Sequence, residues 1–507
     1  MMQSAKHFLK RAIIIFLPVM AGLCIGASVN RRDADTGRRP PNILFIFADD
    51  QRADALGAAG NRYIHTPHID ALARNGTRLD NAYVMGGHHG AVCAPSRAML
   101  MSGKSLFHVY DVLDGVYTMP QHFAKHGYET FATGKWHNGA KAFEASFQKG
   151  KAVFLGGMSD HGKVPVRDMG ENGRLGEVRE TGYSTDVFTG AAIEYLDDYA
   201  RRKTEAPFFC YVAYTAPHDP REPKEDYRGL YPDGALPVPG NFRKYHPFAF
   251  DNMQIRDEQL AAWPRTPEIV QASLSDYYAL ISHMDAKIGE IITLLKAKGL
   301  YENTLIVYTA DNGLAIGSHG LLGKQNLYEH STKVPMILAG PGIPENKVSE
   351  ALVYLFDLFP TLAAASGLPA PKGIDGESFL PLLRQPQQRL PDGKGRTSLF
   401  TVYRNTVRAV RDKDFKLIRY PLINRTQLFS LNDDPLELND LAGKPAYAEK
   451  ERAMMELLGQ WQRQTDDTAR LQVERLMLPD YQPETFRQSP DQHQPPYVLE
   501  RYFKRME

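Results

Sequence analysis

Continuous apolar runs punctuate the first two thirds of the chain. Residues 42–48 read NILFIFA, 207–213 PFFCYVA, 304–309 TLIVYT and 334–339 VPMILA. Runs of this length without alternation predict strands buried on both faces. Between them the spacing becomes helical, and Ile281, Met284, Ile288, Ile291 and Leu295 form one apolar stripe. Strands alternating with helices predict an α/β fold over residues 41–370, a large mixed and mostly parallel sheet sandwiched by helices. After Gly367 the texture changes. Proline-rich turns separate shorter strand candidates at 398–403, 408–410, 415–419 and 427–431, and a helix is expected over 447–466. These predict a smaller C-terminal α+β subdomain and tail, residues 371–507. The tail from Leu478 is rich in Pro, Gln and Tyr and is expected to lie over the surface.

The first residues follow neither pattern. Lys6, Lys10 and Arg11 precede an uncharged stretch from Ala12 to Val29, interrupted by Pro18 and closed by Gly22, Gly26 and Ala27. This is the layout of a secretory signal peptide at 1–27, followed by a charged linker at 28–40, and it predicts an exported protein, periplasmic or secreted. The run also just reaches spanning length, so an uncleaved anchor is the alternative. If the signal is cleaved, no stable membrane span is expected. Bulky Leu23 before Cys24 argues against a lipoprotein.

With 507 residues, 60 basic and 59 acidic side chains, the chain is long enough for a large core, and its balance argues against a nucleic-acid partner. Three cysteines exclude a disulfide scaffold; Cys210, inside PFFCYVA, reads as a core thiol. Composition leaves a large enzyme.

Two of the apolar runs end in oxygen ligands, Asp49-Asp50 and Asp311-Asn312. Ligands of open α/β sheets bind at the carboxyl ends of the strands, and four hard oxygen donors suit Ca²⁺ or Mg²⁺. Asp and Asn also cap helices and fill turns, so either pair alone carries little. Between them stands Cys93-Ala94-Pro95-Ser96-Arg97 in polar, glycine-rich surroundings.

A strand ending in Asp-Asp followed by C-x-P-S-R resembles the type I sulfatases. Further segments resemble that family in the same order: TPHIDALARNG (66–76), GKWH (134–137), APH (216–218), ADNG (310–313), His319-Gly320 through Lys324 to Tyr328-Glu329, and LFSLNDDPLELNDL (428–441). The resemblance implies an alkaline-phosphatase-like fold and hydrolysis of a sulfate ester, that of a sulfated carbohydrate above all. It implies that Cys93 is oxidised to formylglycine by a formylglycine-generating enzyme, and that the hydrated aldehyde attacks sulfur. Asp49, Asp50, Asp311, Asn312 and the modified Cys93 would hold the metal. Arg97 would steady the hydrate, Lys135 and His137 would meet nucleophile and sulfate, and His218 and Lys324 would flank the leaving oxygen.

The chain departs from the family where L-T-G-R is replaced by Leu100-Met101-Ser102-Gly103-Lys104 and where Asn138-Gly139 follows GKWH. Candidate substrate contacts are His88, His89, Asn138, Asp219, Arg221 and Arg404. For His88 and His89 a loop surface is the alternative, and for Arg404 a surface pair. For His319, ordering of the loop before Lys324 stands beside a catalytic role. Two rival functions remain: a phosphodiesterase or phosphonate monoester hydrolase of the same superfamily, and a catalytically dead sugar-binding relative.

Overall fold

The 42–48 run forms β1 (Asn42–Ala48), with every residue buried, so both of its faces are covered. The computed structural model describes residues 39–384, 395–476, 481–486, 490 and 494–503. The signal at 1–27 and the linker as far as residue 38 lie outside them. Among the described residues, eight strands make the main sheet. After β1 come β2 (Gly76–Leu79), β3 (Glu129–Lys135), β4 (Lys149–Phe154), β5 (Phe208–Ala213), β6 (Thr304–Ala310), β7 (Met336–Ala339) and β8 (Lys347–Ser349). Their order is β8-β2-β7-β6-β1-β5-β3-β4. Only β7 runs against the rest. The expected mixed, mostly parallel sheet is present.

The 334–339 run does not form one strand. Val334 pairs with Ala82 in a small separate sheet, and β7 begins at Met336. Pro335 between them has no N–H for a ladder, so the chain changes partners there. Strands β2, β3, β4 and β8 were not legible, because Thr, Lys, Arg and Gly interrupt their apolar pattern. The apolar stripe at 281–295 belongs to a 31-residue helix, α3 (Pro267–Ala297), which packs on α2 (Ser184–Arg202). Among the described residues, no helix is long and apolar enough to cross a membrane.

All four C-terminal strand candidates form, as Leu399–Tyr403, Val407–Arg411, Phe415–Tyr420 and Arg425–Ser430, in an antiparallel meander. The expected helix follows at Ala448–Gln464. One strand of this second sheet comes from far upstream: Gly86 and Gly87 pair in parallel with Val402 and Tyr403. Gly86 sits at φ +103, and a Cβ there would lie 1.9 Å from the Val402 carbonyl oxygen. The loop before Cys93 is thereby pressed onto the C-terminal sheet. In the tail, Val498 and Tyr502 are buried against Leu260, Ala262 and Ile269.

Register positions the chemistry. Ala48 lies opposite Ala310, Phe47 opposite Ala213, and Gly134 opposite Ala213. Four parallel neighbours therefore end at one level, and the residues that follow them share one crevice. Gly134 permits this on β3: its φ is +92, and a Cβ would lie 1.8 Å from the Ala213 carbonyl oxygen. Gly134→Ala should destabilise the protein by about 3 kcal/mol or more, from backbone strain plus a clash that no side chain can relieve. Urea denaturation checks this, and a loss under about 1 kcal/mol would contradict the packing argument.

Candidate active site

The crevice holds three buried carboxylates, each with its own cation. Lys135 Nζ hydrogen-bonds Asp49 Oδ2, Lys324 Nζ donates to Asp50 Oδ1 at 2.6 Å, and Arg97 Nε donates to Asp311 Oδ2 at 2.9 Å. Asp49, Asp50, Asp311 and Lys135 have no exposed surface. The backbone N–H of Asp50 donates to Asp311 Oδ1 at 3.0 Å, and the Asn312 amide donates to Asp50 Oδ1 at 2.6 Å. Asp50 and His137 both sit at positive φ, +66 and +69. Non-glycine residues adopt this conformation uncommonly, and it clusters where surrounding structure over-determines the backbone.

Burial raises the pKa of Asp49 well above the usual carboxylate range, and the neighbouring Asp311 adds to this against Lys135 and Arg97. Asp50 is also raised, by burial, with Lys324 opposing. At Asp311 burial is outweighed by Arg97, Lys135 and Lys324, which hold it below the usual range. Three oxygens, Asp49 Oδ1, Asp50 Oδ2 and Asn312 Oδ1, are buried without a hydrogen-bond donor among the described residues. Buried acceptors left this way are unfavourable unless something positive meets them. Atoms of Asp49, Asp50 and His218 lie within 4.8 Å of one another, as do those of Asp49, Cys93 and Asp311. This oxygen-rich set fits a hard divalent cation.

Cys93 opens the helix α1 (Cys93–Ser102) and points into the same cluster. Its Sγ is 3.4 Å from His137 Nδ1 and 3.6 Å from Lys135 Nζ. Burial raises its thiol pKa, with Lys135 and Lys324 opposing. Arg97, one turn later, also donates from Nη1 to the Lys135 carbonyl at 2.9 Å and lies over the Phe47 ring. Burial, with Lys135, Arg97 and Lys324, pushes His137 down to about 2, so its imidazole is neutral. His218 follows β5. Its Nδ1 donates to the Asp219 carbonyl at 2.6 Å, which leaves Nε2 facing Asp50 Oδ2 at 3.6 Å. Burial lowers its pKa well below the ordinary histidine value, against the pull of Asp219.

The other sequence candidates lie differently. Asn138 is fully buried, and its amide donates to the Ala94 and Asp111 carbonyls at 2.9 and 2.7 Å, so it braces the start of α1. His88 and His89 are exposed; His88 packs edge-on against Phe107 and His89 pairs with Asp111. Arg404 pairs with Asp251 at 3.2 Å, and its backbone N–H donates to the Gly87 carbonyl. Asp219 is buried and held by Arg256. Arg221 is buried over Tyr277, and its Nε and Nη2 lack acceptors among the described residues. His319 stacks on Tyr328 with ring centroids 4.0 Å apart. Cys210 is wholly buried in β5, and it and Cys93 are free thiols.

Sequence reasoning missed Tyr277, whose hydroxyl donates to the Asp50 carbonyl at 2.7 Å, and Gly157, whose carbonyl accepts from Lys135 at 2.6 Å. It also missed Arg256, Asp257 and Gln325. Of these only Gln325 carried a signal, its place beside Lys324.

Comparisons agree with this geometry. A family model described as Sulfatase matches residues 41–368, and one described as N-sulphoglucosamine sulphohydrolase, C-terminal, matches 317–464. An N-acetylglucosamine-6-O-sulfatase of Bacteroides thetaiotaomicron is 28% identical, covering 89% of this chain and 91% of the relative. An ulvan-active sulfatase of Formosa agariphila is 29% identical, covering 83% and 80%. A solved structure of a protein in complex with its substrate D-glucosamine-2-N,6-O-disulfate shares the fold, with a TM-score of 0.69 at 24% identity, covering 85% of this chain and 99% of that one. The chain belongs to the sulfatase family and is a sulfuric ester hydrolase.

Proposed function

We propose that this enzyme removes sulfate from a sulfated carbohydrate, with formylglycine at position 93 as nucleophile and a divalent cation, calcium, among Asp49, Asp50, Asp311 and Asn312. The observation that carries this reading is residue 93 itself, set against three carboxylate–cation pairs and beside His137. A raised thiol pKa gives little thiolate, and soft sulfur suits neither the hard oxygen set nor its cation. A hydrated aldehyde supplies an oxygen in the same place. Three carboxylates balanced by Lys135, Lys324 and Arg97 leave the cation's charge uncompensated, which suits an anionic ester.

When bound, the cation stabilises negative charge on the sulfate oxygens. One hydroxyl oxygen of the hydrated residue 93, its proton released to solvent, bonds to sulfur as the bond from sulfur to the sugar oxygen breaks, and Lys135 and Lys324 offset the charge that builds up there. The anionic ester favours a proton on His218 Nε2, which passes to the departing sugar oxygen. Neutral His137 then has a lone pair for the remaining hydroxyl proton of residue 93; sulfate leaves by elimination and the aldehyde returns. Arg97 holds Asp311 in place throughout. Among the sequence-proposed substrate contacts, Arg221 is supported best, because its unmatched N–H groups suit a carboxylate or second sulfate on the sugar. The likeness to an N-acetylglucosamine-6-O-sulfatase and to an ulvan-active sulfatase supports a sulfated sugar as the substrate class. The N-terminal sequence supports export to the periplasm or medium, after modification of Cys93 by a formylglycine-generating enzyme.

Metal-stripped protein should gain several degrees in Tm on adding calcium, since a ligand at 100 times its Kd adds about 2.7 kcal/mol. Asp49→Asn should blunt that gain, and an unresponsive native protein would remove the cation from the account. The ester class is tested by kcat/KM on paired sulfate and phosphate or phosphonate monoesters. We expect sulfate esters to lead by about 100-fold or more. A reversed order would favour the phosphonate hydrolase reading, and binding without any ester cleavage would favour a dead relative.

A further inference from the structure

His218 and Lys324 come from segments about a hundred residues apart, yet a continuous chain of hydrogen bonds joins them through one guanidinium. Arg256 opens a short 3₁₀ turn, Arg256–Leu260, and its side chain is 27% exposed at the edge of the buried cluster. Its Nη1 donates to Asp219 Oδ1 at 3.0 Å and to Asp257 Oδ1 at 2.9 Å, while Nη2 donates to Asp219 Oδ2. On one side, the backbone carbonyl of Asp219 accepts from His218 Nδ1 at 2.6 Å. On the other, Asp257 Oδ2 accepts from Gln325 Nε2 at 2.7 Å, and Gln325 Oε1 accepts the backbone N–H of Lys324 at 3.1 Å.

We propose that Arg256 is a positioning residue for the departing oxygen: it fixes the aim of His218 and the placement of Lys324 together. This rests on the reading of His218 as the proton donor. The Asp219 carboxylate is buried, and its Oδ1 lies only 3.4 Å from His218 Nδ1. With both oxygens engaged by Arg256, it does not capture the ring, and Nδ1–H goes to the carbonyl. Nε2 is then the atom turned toward the reacting site. Without Arg256, Asp219 Oδ1 would be free to compete with the carbonyl for Nδ1–H, and the ring would turn away from its aim at the leaving oxygen.

A purely structural role is less well supported, because the neighbouring Glu258 already anchors this wall. It accepts the backbone N–H groups of Leu322 and Gly323 at 3.0 and 2.8 Å and pairs with Arg265 at 2.8 Å. The loop leading to Lys324 therefore keeps its tether when Arg256 is replaced.

The test is the dependence of kcat on leaving-group pKa across aryl sulfates, from 4-nitrophenyl to unsubstituted phenyl sulfate, with thermal unfolding run beside it. His218→Ala should steepen that dependence, since a poor leaving group needs the proton most. Arg256→Ala should steepen it too, losing about 10- to 100-fold on phenyl sulfate but less than about 3-fold on 4-nitrophenyl sulfate, with KM nearly unchanged. Arg256→Lys should fall between, and it carries the test if the alanine variant does not fold. The double variant should match His218→Ala alone, because both changes remove one function. A steep His218→Ala profile beside an Arg256→Ala profile parallel to the native one would overturn the positioning role while leaving the sulfatase reading intact. A native-like slope in His218→Ala would remove the proton donor, and the role of Arg256 with it.

Discussion

Three carboxylates cannot share one buried crevice unless their charge is met, and the architecture around this site follows from meeting it. Asp49, Asp50 and Asp311 arrive together because β1 and β6 are parallel and in register, so their carboxyl ends coincide. Lys135 arrives on the next-but-one parallel strand, Arg97 from the second turn of α1, and Lys324 from the loop after β6. Each cation takes one carboxylate. Removing any of the six would leave an uncompensated charge in low dielectric, which is among the more costly single changes a protein can suffer. The sheet, the helix start and the loop are therefore coupled to the charge balance as well as to the core.

That balance also selects the chemistry. The crevice is lined by hard oxygens, cationic nitrogens and two neutral imidazoles, and Cys93 Sγ is a soft atom among them. Burial keeps it protonated rather than nucleophilic. An oxygen at the same position would resolve the mismatch, and its gem-diol form would allow an elimination that a serine sulfate ester could not provide. The neutral imidazoles on either side, His137 and His218, are held so by burial and by the same cations.

Much of this was legible because the features concerned are local. Apolar runs that end in Asp-Asp or Asp-Asn point to both the strand and candidate ligands, and the family resemblance of the C-x-P-S-R and GKWH segments pointed to residue 93 and its neighbours. The metal and nucleophile candidates, with Lys135, His137, His218 and Lys324, gather in one crevice. What was illegible depends on distant chain segments. β3 escaped because Thr130, Thr133 and Gly134 break its apolar run, although it delivers Lys135. Pro335 split a strand that read as continuous. Asn138 looked free to reach a substrate, but the adjacent helix and the Asp111 loop take up its amide. Arg256 carried no local signal, since its meaning lies in Asp219 and Asp257 meeting across the crevice.

The central claim is that turnover belongs to an oxygen at position 93. The direct measurement is peptide mass spectrometry across residues 79–97 on preparations made with and without a formylglycine-generating enzyme, paired with the kcat of each. Activity should rise in proportion to the formylglycine fraction, and unmodified protein should be folded but nearly inactive. Full turnover by a preparation whose Cys93 is entirely free thiol would contradict the claim.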